Sequence, residues 1–190
     1  MNKLVYALVL AIAAPSLTGC ATAVVGGAAT GTAIAVDRRT AGVFVSDQEI
    51  ELRAMSRLRE TFPQGTESIA TTSYNRQVLL TGQVPDEAAR ARAGEVVKGI
   101  PDVRTVFNEL AISGVTSFTS SANDTSITAS VKTRLLRDDR VPGTKVKVKT
   151  ESGVVYLMGL VTRAEGSAAA ETTRTTSGVT KVVTLFEYLD

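Results

Sequence analysis

From Asp47 to its end, the 190-residue chain contains the same pattern twice. Three residues recur at an offset of 77: Asp47, Ile50 and Leu58 match Asp124, Ile127 and Leu135. The motif V-x-L-x-G-x-V then follows in both copies, at residues 78–84 and 155–161. The offset becomes 76 near the end of the copies, so one residue was gained or lost in a loop. Such a duplication requires a fold that roughly 65 residues can form twice.

Each copy begins with a predicted amphipathic helix, over residues 47–61 in the first copy. Apolar residues spaced i, i+4, i+8 lie on one face of a helix. These faces consist of Ile50, Ala54 and Leu58 in the first copy and Ile127, Val131 and Leu135 in the second. A second helix is predicted to open at residues 85–87, where acids favour a helix start, and at the capping box formed by Thr162 and Glu165.

The remaining segments of each copy have strand patterns. Residues 145–149 alternate Lys and Val, which predicts a strand with valines inward and lysines outward. After a turn, residues 154–161 form a mostly buried strand, and final strands are predicted at 103–112 and 179–189. The unit is therefore helix–strand–strand–helix–strand. A unit of this size has a marginal core, so we expect the two copies to stabilise each other by packing.

A polar segment separates the two copies. Six of the eleven residues in 113–123 are Ser or Thr, which is the composition of a linker. The predicted folded units are residues 46–112 and 124–190.

The amino terminus predicts export and lipidation. Residues 1–19 form a signal peptide with a positive start and an apolar run, Leu4 to Ala14, that is too short to span a bilayer. Leu17-Thr18-Gly19-Cys20 matches the bacterial lipobox, in which the Cys20 thiol receives diacylglycerol. The alternative is an ordinary signal peptide followed by a chance cysteine, but an unpaired thiol is a liability in an exported chain. Several acyl chains, such as palmitate, give stable anchoring.

Residues 20–45 are predicted to be the lipidated cysteine and a flexible tether. The part before Asp37 is rich in Ala, Gly and Thr, which argues against a stable helix and against the rival interpretation as a transmembrane span. Ala21, by resemblance to lipoprotein sorting signals, favours the outer membrane, with the protein facing the periplasm.

Composition excludes several classes of function. The chain has no His, so imidazole chemistry is excluded. One Cys allows neither an internal disulfide nor a site built from several thiolates, and no motif predicts a metal, a cofactor or a small-molecule substrate. A net charge of +2 does not indicate nucleic-acid binding. No motif places a nucleophile or carboxylate pair together, so catalytic residues are not predicted.

The α-β-β-α-β unit, with its glycine-centred strands at 78–82 and 155–159, resembles the BON domain. Two such units behind a lipobox are similar to the dual-BON-domain outer-membrane lipoproteins of the DolP (YraP) type. The stretches 123–125, 155–162 and 177–179 are especially similar to that family. The resemblance implies an α+β fold of two tandem BON domains, each with its helices packed on one face of a small mixed sheet.

The resemblance also implies a function. The family is described as non-enzymatic; it supports outer-membrane integrity, collects at the division site and binds anionic phospholipid. The contact is the first helix of the second BON domain, here about residues 124–137. Charge supports this choice, because residues 46–113 hold 8 basic and 10 acidic side chains whereas residues 122–190 hold 10 basic and 8 acidic ones.

The candidate lipid-binding residues lie on the outward side of this helix, opposite the core stripe. They are Ser126, Ser130, Thr133, Arg134 and Arg137. The alternative is an ordinary solvated face. Members of the family can carry a Trp where Ser126 stands, and Ser cannot insert a ring among the headgroups.

A second candidate surface is the lysine face of the strand at 145–149, for which we favour a solvated strand that resists edge pairing. The alternative function is a lipid-anchored periplasmic scaffold, whose partners are envelope or division proteins or the outer-membrane assembly machinery.

Overall fold

The computed structural model describes residues 37–63, 69–112 and 120–189. The predicted signal peptide and Cys20 lie outside these residues. The first copy contains helix α1 (Ala41–Thr61), strands β1 (Ile69–Tyr74) and β2 (Gln77–Val84), helix α2 (Glu87–Lys98) and strands β3 (Thr105–Asn108) and β4 (Ala111–Ile112). The second contains helix α3 (Ser120–Arg137), strands β5 (Val146–Glu151) and β6 (Val154–Val161), helix α4 (Arg163–Arg174) and strand β7 (Lys181–Tyr188).

The two copies have the same topology. In each, a hairpin pairs the first two strands antiparallel, and the last strand pairs parallel with the middle one. The first copy divides its last strand into β3 and β4, both paired with β2, and between them Glu109 N–H bonds to the Leu80 carbonyl. The predicted α+β fold of two tandem α-β-β-α-β units is confirmed.

The helices of each copy cover one face of its sheet. The stripe Ile50, Ala54 and Leu58 packs on Val78 and Leu80 of β2, as the spacing predicts. The stripe of α3 forms the equivalent cluster with β5, β6 and α4. The predicted capping box is also present, with Glu165 N–H donating to the Thr162 hydroxyl and Thr162 N–H to the Glu165 carboxylate.

The opposite faces of the two sheets pack against each other. This shared cluster consists of Tyr74, Leu79, Tyr156, Met158, Leu160 and Leu185, with Phe107, Val154 and Val183 at its margin. Strand β6 is therefore buried on both faces: Leu157 points to the helices of its own copy and Met158 to the other copy. The copies share a core, as their small size predicts. Burial is the main reason that the pKa of Tyr156 is raised to about 12, with Glu109 and Glu151 adding to the shift.

Two helices begin earlier in the chain than the predicted units do. Helix α1 begins at Ala41, with the Thr40 hydroxyl accepting from Val43 N–H, so residues 37–45 do not belong to a flexible tether. Helix α3 begins at Ser120, inside the predicted linker 113–123. No residue of α1 before Asp47 is buried, and residues 120–123 contain a single apolar residue, Ala122, so periodicity could not reveal these first turns.

The lysine face of β5 is also not simply solvated. Lys147 Nζ lies 2.8 Å from the Glu51 carboxylate on α1 and 2.9 Å from the Ser73 carbonyl on β1. Lys149 pairs with Glu151 within its own strand, at 3.2 Å. The strand that we expected to face solvent therefore contacts the first copy through Lys147.

Residues Val36–Asp190 form one compact unit that contains all three apolar clusters. A chain that begins before Val36 therefore keeps every contact described above. None of the helices in the described ranges is long and apolar enough to cross a membrane.

Candidate functional site

The position of α3 on its sheet is fixed at both ends. Near its start, Asp124 is buried and accepts hydrogen bonds from Ser152 N–H (2.7 Å) and Gly153 N–H (2.8 Å), in the β5–β6 turn. Both turn residues have positive φ, 51° and 76°, a conformation that the carboxylate stabilises by accepting their N–H groups. Further along, the apolar stripe holds the helix on the sheet. The face opposite the stripe is thereby turned to solvent.

Asp47 has the same role in the first copy. It accepts from Asn75 N–H at 2.8 Å and Arg76 N–H at 2.7 Å in the β1–β2 turn, and from the Ser73 hydroxyl at 2.6 Å. The aspartate shared by both copies thus joins the first helix to the hairpin, which is a structural role.

The structure brings all five predicted lipid-binding residues together on the solvent side of α3. Ser126, Ser130, Thr133, Arg134 and Arg137 are all exposed. The Thr133 hydroxyl donates to the Ala129 carbonyl at 2.9 Å, within the helix. The middle of this face carries the small side chains of Ser126, Ser130 and Thr133.

Arg134 has a second role that the sequence did not reveal. Its guanidinium donates to the Thr175 carbonyl at 2.6 Å and to the Thr175 hydroxyl at 2.8 Å. Thr175 is the C-terminal cap of α4, where unpaired carbonyls and the helix dipole favour a cation. Arg134 therefore joins the two helices, and its charge is only partly available to a ligand.

A shallow cleft of about 560 Å³ lies at the end of the same face. It is lined by Arg134, Arg137, Asp138, Asp139, Arg140, Glu171, Thr172 and Thr175. Arg140 pairs with Asp138 at 2.9 Å and with Glu171 at 3.0 Å, so its charge is neutralised. The hydrogen bond from Arg140, assisted by that from Thr172, holds the pKa of Asp138 well below its usual range. Arg137 forms no ion pair with another described residue, which makes it the cation of this cleft that is available to an anion.

Leu136 is a feature of this face that the sequence analysis missed. It is 60% exposed, although leucine is usually buried. It lies one helical turn after Lys132 and next to Arg137. In the sequence, its position directly after the stripe residue Leu135 was the feature that could have indicated its exposure. The outer face of α3 thus combines an apolar tip with neighbouring cations.

Among the described residues, no group of three or more His, Cys, Asp or Glu side chains is placed to hold a metal ion. The outer face of α3 instead presents exposed cations beside one exposed apolar side chain.

Comparison with known proteins identifies the unit. The sequence model of the BON domain matches residues 46–114 and again 123–190. The chain belongs to the BON-domain family. It is a dual-BON protein of the DolP type: the Outer membrane lipoprotein DolP of Haemophilus influenzae is 38% identical over 175 residues, which cover 92% of this chain and 91% of that protein.

Two further BON-family relatives are similar over most of their length. The 21 kDa hemolysin of Actinobacillus pleuropneumoniae is 35% identical over 81% of this chain and 80% of its own. The Osmotically-inducible protein Y of Escherichia coli is 31% identical over 74% of this chain and 72% of its own. Below, BON1 denotes residues 46–114 and BON2 denotes residues 123–190.

Proposed function

We propose that this protein is an outer-membrane lipoprotein, anchored through acyl chains on Cys20 and facing the periplasm, in which α3 of BON2 binds anionic phospholipid. It supports outer-membrane integrity without catalysing a reaction, and it concentrates at the division site. The lipobox at Leu17–Cys20 and the similarity to a DolP lipoprotein over nearly the whole chain support the anchor and the compartment.

The observation that carries the lipid contact is the composition of the exposed α3 face. Lys132 and Arg137 are exposed cations, each worth about 1 kcal/mol near an anionic membrane surface. Leu136 can bury its apolar side chain at the headgroup boundary, which offsets the absence of an aromatic residue at Ser126. Two cations and one leucine give weak, reversible binding, which is suitable for a protein that the Cys20 anchor already holds at the membrane.

Vesicle flotation with a chain of residues 21–190 tests this contact without the lipid anchor. We expect recovery on vesicles that contain phosphatidylglycerol or cardiolipin and little recovery on neutral phosphatidylcholine vesicles. Arg137→Glu should lower the partition coefficient about tenfold, because it replaces a cation by an anion at the surface. Leu136→Ala should lower it about fivefold through lost apolar burial. Charge reversal at Arg134 is less informative, because it also disturbs the end of α4.

Helix α1 of BON1 supplies matched controls. Leu52 is 67% exposed and Arg53 is an exposed arginine in an ion pair with Glu49 on the same helix. Leu52→Ala and Arg53→Glu should leave flotation unchanged. Equal recovery on neutral and anionic vesicles would refute lipid recognition, and a loss caused by the α1 variants would move the contact to BON1.

The alternative, a scaffold for envelope or division proteins, is favoured by one other observation. Val45, Leu52 and Met55 are exposed by 60%, 67% and 42% on one side of α1. Exposed apolar side chains at helical spacing are typical of a protein-binding face. If this function operates, Leu52→Glu abolishes envelope integrity in cells although flotation of the same variant is normal. If Leu136→Ala alone causes the defect, the lipid contact is the function.

A further inference from the structure

The first described residues, which lie inside the predicted tether, contact both BON domains. Arg38 reaches BON2, where its two terminal nitrogens donate to the two oxygens of the Glu165 carboxylate, each at 2.7 Å. The same guanidinium donates to the Leu160 carbonyl at 2.9 Å. Two parallel bonds between guanidinium and carboxylate are stronger and more directional than a single contact between point charges. Arg38 is therefore joined to the start of α4 and the end of β6.

The next residue, Arg39, is held by BON1. It donates to the Asp47 carboxylate at 2.6 Å, and its guanidinium lies 4.1 Å from the centre of the Tyr74 ring and 5.1 Å from that of Phe44. Asp37 also accepts from Arg39, at 2.6 Å. The Arg39 side chain is only 7% exposed, so loss of its partners would leave a buried charge.

Chain geometry makes these two sets of contacts interdependent. Successive Cα atoms are about 3.8 Å apart. Arg38 and Arg39 can therefore keep both sets of partners only while the two domains are in contact. Any separation of the sheets must break either the bonds of Arg38 to BON2 or those of Arg39 to BON1. Arg38 is more exposed, at 23%, so its bonds are the ones expected to break first.

We propose that Asp37, Arg38 and Arg39 form a strap that holds BON1 and BON2 together where the chain arrives from the lipidated cysteine. The strap crosses the boundary between BON1 and BON2, here called the seam. The Lys147–Glu51 ion pair and the hydrogen bond from Asn75 to Glu187 also cross it. The chain that leads from the lipidated cysteine is thereby joined to both domains, although only BON1 follows it directly in sequence.

Thiol labelling of residues 21–190 tests the strap, because that chain contains no Cys. Met158→Cys places a thiol in the cluster between the two sheets, where the native side chain is 1% exposed. Arg38→Ala should accelerate labelling of this thiol about tenfold, since it removes a bidentate charged contact across the seam. Arg53→Ala, which removes an arginine from an ion pair within α1, should leave the rate unchanged.

A thiol on the other face of β6 separates opening of the seam from unfolding. Leu157→Cys reports access to the core between the BON2 sheet and its helices. The strap predicts that Arg38→Ala accelerates labelling more at position 158 than at position 157. An equal acceleration at both positions overturns the proposal, because Arg38 would then act only through global stability. No acceleration at position 158 overturns it as well.

A second measurement avoids substitutions in the core. Spin labels on Ser56→Cys of α1 and Ser130→Cys of α3, both exposed positions, report the distance between the outer helices of the two domains. We expect a narrow distance distribution that Arg38→Ala broadens and Arg53→Ala does not. An unchanged distribution in the Arg38→Ala protein contradicts the strap.

Discussion

Replacing Asp47 by alanine tests how the duplicated aspartate holds each unit together. The Asp47 carboxylate is fully buried and accepts four hydrogen bonds, from the Ser73 hydroxyl, Asn75 N–H, Arg76 N–H and the Arg39 guanidinium. Asn75 and Arg76 have positive φ, 51° and 63°, which non-glycine residues rarely adopt. The substitution leaves all four donors without this acceptor and leaves the turn without its support.

The four contacts set the size of the effect. We assign about 1 kcal/mol to each of the three neutral donors, because the turn is half-buried and water reaches it in part. The buried Arg39 bond adds about 2 kcal/mol, as expected for a charged group. Asp47→Ala should therefore cost about 5 kcal/mol, a large share of the 5–15 kcal/mol typical of a native protein. Asp86→Ala, which removes only the N-cap of α2, should cost about 1 kcal/mol.

Urea unfolding of residues 21–190, followed by circular dichroism, measures both variants. The midpoint of Asp47→Ala should fall by several times the shift of Asp86→Ala. Asp124→Ala should also destabilise strongly, since it removes the bonds to Ser152 and Gly153. If Asp47→Ala costs no more than Asp86→Ala, the assignment of a structural role to the duplicated aspartate is wrong.

Three further predictions concern the strap, the sheet and the BON2 helices. The hydrogen bond from Arg38 lowers the pKa of Glu165 to about 2, below its usual 4.5. The Arg38–Glu165 pair therefore stabilises the fold fully above pH 4.5 and loses this effect as the pH falls towards 2. The difference in free energy of unfolding between wild type and Arg38→Ala, measured in urea, should narrow over that range. Gly159→Ala should cost about 1–3 kcal/mol because its Cβ would lie 2.9 Å from a backbone carbonyl, whereas Gly42→Ala, with open space in a helix, should stabilise by about 0.5–1 kcal/mol in the same assay. Arg134→Ala should lower the thermal midpoint by a few degrees, because about 1 kcal/mol of contact with the end of α4 is lost.

Local patterns in the sequence predicted most of the fold. The i, i+4, i+8 stripe ending at Leu58, the alternation in 145–149 and the capping box at Thr162 are all confirmed. Each depends on residues that are close in sequence, so spacing alone contains the information. The duplication then tested each assigned helix and strand a second time, because the same order of elements had to fit both copies.

Long-range contacts could not be predicted in this way. Arg38 is 127 residues from Glu165, and Lys147 is 96 residues from Glu51. Charged side chains of these types are normally solvated, and no pattern indicates which ones cross a domain seam.

The candidate site was predicted only in outline. Helical periodicity placed Ser126 and Arg137 correctly on the outward face, because the buried stripe determines which side is exposed. It could not show that Arg134 bonds to Thr175 on another helix. The sequence analysis also did not single out Leu136, although a leucine directly after Leu135 lies off the buried stripe.

The proposed contact of BON2 with anionic lipid through the outer face of α3 can be tested directly by an NMR titration. Bicelles that contain phosphatidylglycerol are added to residues 21–190 while every backbone amide is monitored. We expect shift changes and line broadening to concentrate on α3 from Ser126 to Arg137, with Leu136 among the most affected and α1 unchanged. Changes centred on Leu52 and Met55 of α1, or no changes with saturating anionic lipid, would contradict it.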